Sequence, residues 1–285
     1  MMKIAMKRSA LLLMAPLALT ACQDQPAGEP VVRASLDGTP LPENEALAEA
    51  EIVDPALGEA ALATSPCTSA EFEGVPLTHC IADPAQHRIR TARAPVSGDQ
   101  FGTIAGWAQG RDTSAIAFVM NGGAYGDDLR ALGYFVENAE RLGELNREEG
   151  SGNFFLRPNG VFFGTDGSWR ILESETFVRT VGTRPQFGLQ SGPMLLDGGE
   201  LHPEIAENGA SRAIRNGVGV DAEGRAHFVI SDAPLSFGQL ARFFRDELGV
   251  ADALFLDANV SSLWDPATGR MDNRRVGPLL VVERN

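Results

Sequence analysis

Lysine is almost absent from this 285-residue chain, whose formal net charge is −14. Its two lysines, Lys3 and Lys7, both stand in the first ten residues, next to Arg8. If that segment is removed, three positive charges are lost and the net charge falls from −14 to −17. A chain this acidic is a poor partner for nucleic acid or another polyanion. In the shortened chain, covalent catalysis through a lysine amine is excluded as well.

Histidine and cysteine are also scarce, with four and three residues respectively. None of the histidines lies in a polar cluster of the sequence, which argues against a Ser-His-Asp triad. Cleavage of a phosphodiester at phosphorus normally needs a two-metal site rich in His and Asp, and the sequence offers no such cluster. Cys67 and Cys80 have one neighbouring histidine, His79, and lack the paired spacing of a zinc site. In an oxidising compartment the two cysteines predict a disulfide.

The longest hydrophobic run is LLLMAPLAL, at residues 11–19. It is too short to span a membrane and has the length of a signal-peptide core. The following LTAC, residues 19–22, resembles the lipobox of bacterial lipoproteins, in which cleavage precedes a cysteine that is then acylated. The alternative is a simple secretory site at which Cys22 is an ordinary residue. We expect residues 1–22 to be a lipoprotein signal peptide and the protein to be membrane-anchored through lipid, facing the periplasm.

The remaining chain divides by composition. Residues 23–66 are rich in Pro, Ala and Glu, with Arg33 as their sole basic residue, and predict a disordered acidic linker. Residues 67–285 have the composition of one globular domain. Their strand-like runs outnumber helical ones, which predicts an α+β fold with a mixed, largely antiparallel sheet and few helices.

Two local predictions can be checked directly. SFGQLARFFRDELG, residues 236–249, predicts a helix that Ser236 caps together with Gln239 and that Gly249 ends, followed by a strand at 253–256. FFLRPNGVFFG, residues 154–164, predicts a hairpin around a Pro-Asn-Gly turn.

Four polar clusters rich in glycine or serine follow or separate strand-like runs. They are FVMNGGAYGDD (118–128), LQSGPML (189–195), SRAIRNGVG (211–219) and LFLDANVSS (254–262). Glycine allows a ligand to approach the backbone and exposes N–H donors. Asp127 and Asp128 in the first cluster leave a divalent cation open as an alternative to a solvated pair; otherwise no cofactor is expected.

In their order and spacing, the four clusters resemble those of the phosphodiester glycosidase domain family, also called N-acetylglucosamine-1-phosphodiester alpha-N-acetylglucosaminidase-like. The resemblance runs from Cys67 to the C-terminus and is strongest to a bacterial exported branch. It implies an α+β fold and hydrolysis of the sugar C1–O bond in sugar-1-phosphodiesters, as small molecules or within a glycopolymer.

The resemblance also implies site residues. Asp257 would be the carboxylate, Asn121 a second catalytic residue and Arg212 the phosphate ligand. Nine further positions are expected to bind substrate: Gly122, Gly123, Gln190, Ser191, Gly192, Arg215, Asn216, Ser261 and Ser262. Ala258 stands where the family commonly has glycine, and a positive φ there would strain alanine. This departure favours the alternative of a glycan- or phosphate-binding lipoprotein of the same fold that lacks turnover.

The proposed chemistry suits these residue types. A carboxylate beside C1 stabilises the positive charge that develops on the sugar ring. A phosphate monoester is a good leaving group, so a second carboxylic acid is less necessary than in ordinary glycosidases. Arginine and backbone N–H groups would stabilise the departing phosphate.

Overall fold

The computed structural model describes residues 64–93, 102–165, 167–257 and 260–285. The predicted signal peptide with Cys22, all but the last three residues of the predicted linker, and Ala258 lie outside the described residues. In the part of the chain that is described, no helix is long and apolar enough to cross a membrane.

Strands dominate the described residues. In chain order they are β1 (Cys67–Phe72), β2 (Val75–Ala82), β3 (His87–Ala92), β4 (Ile116–Asn121), β5 (Phe135–Glu137), β6 (Glu140–Gly143), β7 (Gly160–Thr165), β8 (Ser168–Glu173), β9 (Phe187–Ser191), β10 (Met194–Asp197), β11 (Glu200–Leu201), β12 (Asn216–Val220), β13 (Ala226–Ser231), β14 (Asp252–Asp257), β15 (Leu263–Asp265), β16 (Arg270–Met271) and β17 (Leu279–Arg284). The helices are α1 (Ile104–Ala108), α2 (Ser174–Thr180) and α3 (Phe237–Arg242), with a 3₁₀ turn at Asn153–Phe155 and a π-helical turn at Phe243–Glu247.

The strands form three sheets. The first has seven strands in the order β1-β2-β13-β12-β14-β10-β11. The second has the order β16-β15-β4-β17-β3, and the third β6-β5-β9-β7-β8. Every pairing between these described strands is antiparallel. The predicted α+β fold with largely antiparallel strands and few helices is thereby confirmed, with the strands divided among three sheets.

The core lies where the sheets meet. Phe228 of the first sheet contacts Phe118 of the second, with ring centroids 5.1 Å apart. It also contacts Phe162 of the third, at 6.0 Å. All three rings are fully buried and meet edge to face, an arrangement that stabilises aromatic pairs beyond the area they bury. This shared core holds the ends of strands from different sheets in fixed relative positions.

The predicted helix at 236–249 is confirmed. Ser236 and Gln239 form a reciprocal capping box at the start of α3, and Gly249 follows the π-helical turn with φ of 63°. Leu240 and Phe244 are fully buried in the cluster that covers one face of the first sheet. The chain then enters β14, an interior strand of that sheet between β12 and β10.

The hairpin predicted at 154–164 is wrong. Asn153–Phe155 forms a 3₁₀ turn, and β7 pairs with the following strand β8 instead. The side chain of Asn159 accounts for the difference, because it donates to Phe154 O at 3.1 Å and accepts from Ser174 Oγ at 2.6 Å. A buried amide used in this way fixes the segment as a loop.

The predicted disulfide is confirmed. Cys67 on β1 and Cys80 on β2 are directly opposite each other in the antiparallel pair, and they are bonded. The bond fastens the outermost strand of the first sheet to its neighbour.

Candidate active site

Asp257 ends β14 at an irregularity in the first sheet. On the neighbouring strand, Asn216 pairs with Asp257 but Gly217 pairs with Phe255, so Leu256 is an extra residue. Bulges of this kind bend a strand and redirect the side chains beside them. The Asp257 side chain is largely buried, with 9% of the residue exposed, and its backbone N–H donates to Asn216 Oδ1 at 3.0 Å.

Asn121, at the end of β4 in the second sheet, meets this carboxylate. Its Nδ2 lies 3.4 Å from Asp257 Oδ2 and donates to Val260 O at 2.7 Å. Its Oδ1 accepts from Ser262 N at 2.7 Å and from Asn216 Nδ2 at 3.0 Å. Since two N–H groups donate to Oδ1, the amide orientation is fixed and Nδ2 faces the carboxylate.

Asn216 connects the two sheets at this point. Its Nδ2 donates to Asn121 O at 2.9 Å and to Asn121 Oδ1, while its Oδ1 accepts from Asp257 N. Both asparagines are almost completely buried. A buried network whose members are all paired is rigid, so the carboxylate is held in place before any ligand arrives.

Two of the three predicted serines contact the backbone next to Asp257, and the hydroxyl of the third bonds to Asp272. Ser191 Oγ donates to Leu256 O at 3.1 Å, and Ser262 Oγ donates to Asp272 O at 3.3 Å. Ser261 Oγ lies 3.3 Å from Asp257 O and 3.4 Å from Asn216 Oδ1. Of the described residues that line the cavity beside Asp257, none is one of these three serines. Their contacts therefore fix the backbone around the carboxylate.

The cavity beside Asp257 has a volume of about 440 Å³, within the range of small-molecule sites. Its walls include the aromatic residues Tyr125, Phe154 and Phe155, and its charged residues are Asp127, Asp257 and Arg275. This cavity, called the Asp257 cavity below, thus combines two acidic residues, of which Asp257 is largely buried, with one arginine.

Tyr125 lines the same cavity and contacts the backbone of Arg275. Its hydroxyl donates to Arg275 O at 3.1 Å. Burial and then the negative charge of Asp257 raise the pKa of Tyr125, while the positive charge of Arg275 opposes this shift. The tyrosine therefore stays protonated at neutral pH and can keep donating to the backbone of Arg275.

The two arginines expected from the sequence lie elsewhere. Arg212 is exposed and donates to Gln239 Oε1 at the start of α3. Arg215 is buried, with Nε donating to Leu235 O at 3.1 Å and its guanidinium 3.7 Å from the ring centroid of Phe237. Burial lowers the pKa of Arg215 to about 10, which leaves it charged at neutral pH. Among the described lining residues of the Asp257 cavity, neither arginine occurs.

Arg275 is the residue that sequence reasoning missed. It stands in MDNRRVGP, residues 271–278, a polar segment just before the final strand. Two adjacent arginines between polar residues and a strand are the signal in this segment, which lies outside the four polar clusters.

The remaining predicted residues differ in what they touch. Gly192 lines the Asp257 cavity. Gly122 N donates to Pro278 O at 2.9 Å, and a Cβ at Gly123, whose φ is 82°, would lie 2.7 Å from Leu189 Cδ1. Gln190 is buried and accepts from Tyr134 N at 3.0 Å and Asn146 N at 2.8 Å. Gly122, Gly123 and Gln190 thus make contacts within the fold.

Asp127 and Asp128, for which the sequence left a divalent cation open, differ in what they contact. Asp127 lines the Asp257 cavity, whereas Asp128 forms an exposed ion pair with Arg130 at 3.5 Å. Within the described ranges, no group of three or more His, Cys, Asp or Glu residues is arranged to hold a metal ion.

Two histidines do lie in a polar cluster, contrary to the sequence interpretation. His79 Nε2 is 2.9 Å from His227 Nδ1, and His227 Nε2 is 2.9 Å from Asp221 Oδ2. Burial, followed by the charge of His227, lowers the pKa of His79 to about 4. Pairing between β2 and β13 brings the two rings together, which the separate sequence segments do not reveal.

Comparison with known proteins agrees with this architecture. The family model described as phosphodiester glycosidase matches residues 114–283. The uncharacterized protein YigE of Escherichia coli (strain K12) is 34% identical over 183 residues, which cover 64% of this chain and 71% of YigE.

Of two solved structures to which the chain is similar, the first has a TM-score above 0.5 and shows the fold. The catalytic domain of zebrafish N-acetylglucosamine-1-phosphodiester alpha-N-acetylglucosaminidase, auto-inhibited by its pro-peptide, has a TM-score of 0.51 at 14% identity, covering 77% of this chain and 82% of that one. A hypothetical protein from Synechocystis has a TM-score of 0.49 at 16% identity, covering 77% and 61%. The family model matches more than half of the chain, and the chain therefore belongs to the phosphodiester glycosidase family.

Proposed function

We propose that this protein hydrolyses the sugar C1–O bond of sugar-1-phosphodiesters in the Asp257 cavity. One observation carries the proposal: the rigidly held Asp257 and the exposed Arg275 line the same cavity of about 440 Å³. Membership of the phosphodiester glycosidase family supports the reaction class.

The carboxylate of Asp257 acts on the sugar. As the bond between C1 and the phosphate oxygen breaks, its electron pair leaves with the phosphate and positive charge develops on the ring. The anionic carboxylate stabilises that charge, and Asn121 Nδ2 fixes the orientation of Oδ2. Water then supplies the hydroxyl at C1, and the products are a free sugar, a phosphomonoester and one proton.

Arg275 takes the role that the sequence suggested for Arg212. Arginine presents several N–H donors in a planar fork that matches phosphate oxygens. Arg275 lines the Asp257 cavity, whereas Arg212 donates to Gln239 at the start of α3. The guanidinium of Arg275 therefore holds the phosphate and stabilises its increasing negative charge.

We further propose that the protein is exported and anchored through an acylated Cys22, with residues 23–66 as its tether. The Cys67–Cys80 disulfide supports an oxidising compartment. The substrate would then be a sugar phosphodiester of the cell envelope. Incorporation of labelled palmitate, lost in Cys22→Ala, tests the anchor independently of the activity.

Hydrolysis of UDP-N-acetylglucosamine in ¹⁸O-labelled water tests the reaction. Cleavage at C1 leaves the phosphate groups of the released nucleotide unlabelled, whereas attack of water at phosphorus places the label in a phosphate group of one product. Asp257→Asn should lower the rate by about 100-fold or more, because an amide cannot stabilise the developing cation. Label found in a phosphate group of either product, or an unchanged rate in the variant, refutes the mechanism.

A nitrophenyl sugar phosphodiester extends the test to a second leaving group. If both substrates bind without turnover, the protein is instead a phosphate- or glycan-binding member of the family.

A further inference from the structure

A second cavity, of about 490 Å³, lies beyond Ser261 and is called the Arg270 cavity here. Among the described residues, none lines both this cavity and the Asp257 cavity. The two are nevertheless close along the chain, because Val260 lines one and Ser261 the other.

One wall of the Arg270 cavity is a fixed array of charges. Arg270 Nη1 lies 2.9 Å from Asp232 Oδ1, and Arg270 Nη2 lies 3.0 Å from Asp272 Oδ2. Thr78 Oγ1 donates to Asp232 Oδ2 at 2.8 Å. A carboxylate has about four acceptor positions, so Asp232 keeps capacity to accept further hydrogen bonds. Each of these charged side chains remains about 26–32% exposed.

The formal charge of the cavity lining is balanced. Arg270 and Arg274 contribute two positive charges, and Asp232 and Asp272 two negative charges. Because Asp232 and Asp272 are both paired with Arg270, the lining has no net charge that would favour an anion or a cation. A neutral ligand that donates and accepts hydrogen bonds needs no net charge in the lining.

The uncharged part of the lining is mixed, with the polar residues Ser231, Ser261 and Asn273 beside apolar ones. Ile214, Ile230 and Met271 line the same cavity, and Met271 is one of the few large hydrophobic residues with substantial exposure, at 37%. A ligand that fits must therefore present an apolar face to these side chains and hydroxyl groups to the charged array. A pyranose ring has this division, with C–H groups on its faces and hydroxyls around its edge.

We infer that the Arg270 cavity is a binding site for a neutral carbohydrate, separate from the Asp257 cavity. The hydroxyls of one or two sugar units bind Asp232, Arg270 and Asn273, while the ring packs on Met271. The inference concerns binding and holds whether or not the protein hydrolyses phosphodiesters.

Methyl NMR of methionine provides a direct test. In the full chain labelled at methionine methyl groups, Met271→Leu identifies the Met271 signal, and the buried Met120 and Met194 serve as internal references. Titration with N-acetylglucosamine, glucose and cellobiose should shift the Met271 signal to saturation at concentrations on the order of 1–10 mM. The signals of Met120 and Met194 should stay in place.

Variants separate this site from alternatives. Asp232→Asn, which preserves shape, and Asn273→Ala, at the exposed rim, should each weaken sugar binding by roughly tenfold. Arg130→Ala, which removes an exposed arginine outside both cavities, should leave binding unchanged. Melting temperatures confirm that the variants are folded.

Three results would each overturn the inference. The first is a Met271 signal that does not respond to any of the three sugars up to about 100 mM, where even very weak sites fill. The second is equal sugar binding in Asp232→Asn and Asn273→Ala. The third is a stronger response to inorganic phosphate than to sugar, which would make the cavity an anion site.

Discussion

Replacing Asn216 with alanine should lower the free energy of unfolding by about 3 kcal/mol, because several buried groups lose their partners at once. Asp257 N loses its acceptor, at 3.0 Å, and Asn121 O loses its donor, at 2.9 Å. Asn121 Oδ1 keeps its bond from Ser262 N and is less affected. Each orphaned buried group costs about 1–3 kcal/mol, and two such groups set the magnitude.

Chemical denaturation monitored by tryptophan fluorescence measures this loss. For a domain of this size, 3 kcal/mol corresponds to a fall in melting temperature of about 6–12 °C. Asn273→Ala is the matched control, because Asn273 is exposed and should change the melting temperature by less than about 2 °C.

A second measurement distinguishes positioning from direct binding. If Asn216 holds Asp257 through its backbone, Asn216→Ala should lower kcat more than it raises KM for a sugar phosphodiester. A loss of stability below about 1 kcal/mol would refute the reasoning, since the orphaned groups would then have found other partners. A rise in KM alone would make Asn216 a ligand of the substrate.

Three further predictions concern charge and cross-linking. Arg275→Ala should raise KM for a phosphodiester substrate by roughly tenfold or more. Arg275→Lys should restore KM in part, and Arg212→Ala should change it little. Equal effects of the two alanine variants would show that Arg275 does not bind the phosphate. The folded-state pKa of His79, about 4, is below its ordinary value of 6.5. As the pH falls, the unfolded chain therefore takes up the proton first, and the free energy of unfolding decreases by about 3 kcal/mol between pH 6.5 and pH 4. His79→Phe should flatten that pH dependence in denaturation curves, and an unchanged slope would contradict the assignment. Replacing Cys67 and Cys80 by serine should destabilise the protein by about 3 kcal/mol, because the two cysteines are 13 residues apart. The melting temperature of the variant should not respond to reductant. A melting temperature equal to that of the parent protein would argue against the disulfide.

Local sequence patterns predicted the elements whose ends carry the site. The capping box at Ser236 and the end at Gly249 are properties of neighbouring residues, and both occur as expected. The Asn-Gly-Gly and Asp-containing clusters follow β4 and β14, and Asn121 and Asp257 are in contact. Such a prediction succeeds because polar residues that end a strand lie where the strand leaves its sheet.

The direction in which a side chain points could not be predicted from the sequence. Arg212 and Arg275 both stand in polar segments next to strands, and nothing local distinguishes them. The difference depends on tertiary contacts. Arg212 donates to the side chain of Gln239, whereas Arg275 lines the Asp257 cavity. The loop at residues 154–159 was missed for the same reason, because Asn159 bonds to a serine fifteen residues away.

Asp257 and Arg275, the charged residues with a role in the proposed reaction, are held in the fold in different ways. This difference affects the specificity that we expect for the substrate. Asp257 is fixed by buried amides from two sheets, so its position relative to the sugar should not vary between substrates. Arg275 is exposed, and its backbone is tied to the fold through the hydroxyl of Tyr125. The Tyr125 ring in turn packs against Gly277, where a Cβ would lie 2.4 Å from Tyr125 Cγ. A fixed carboxylate with an exposed arginine would discriminate strongly between sugars and weakly between the groups esterified to the phosphate.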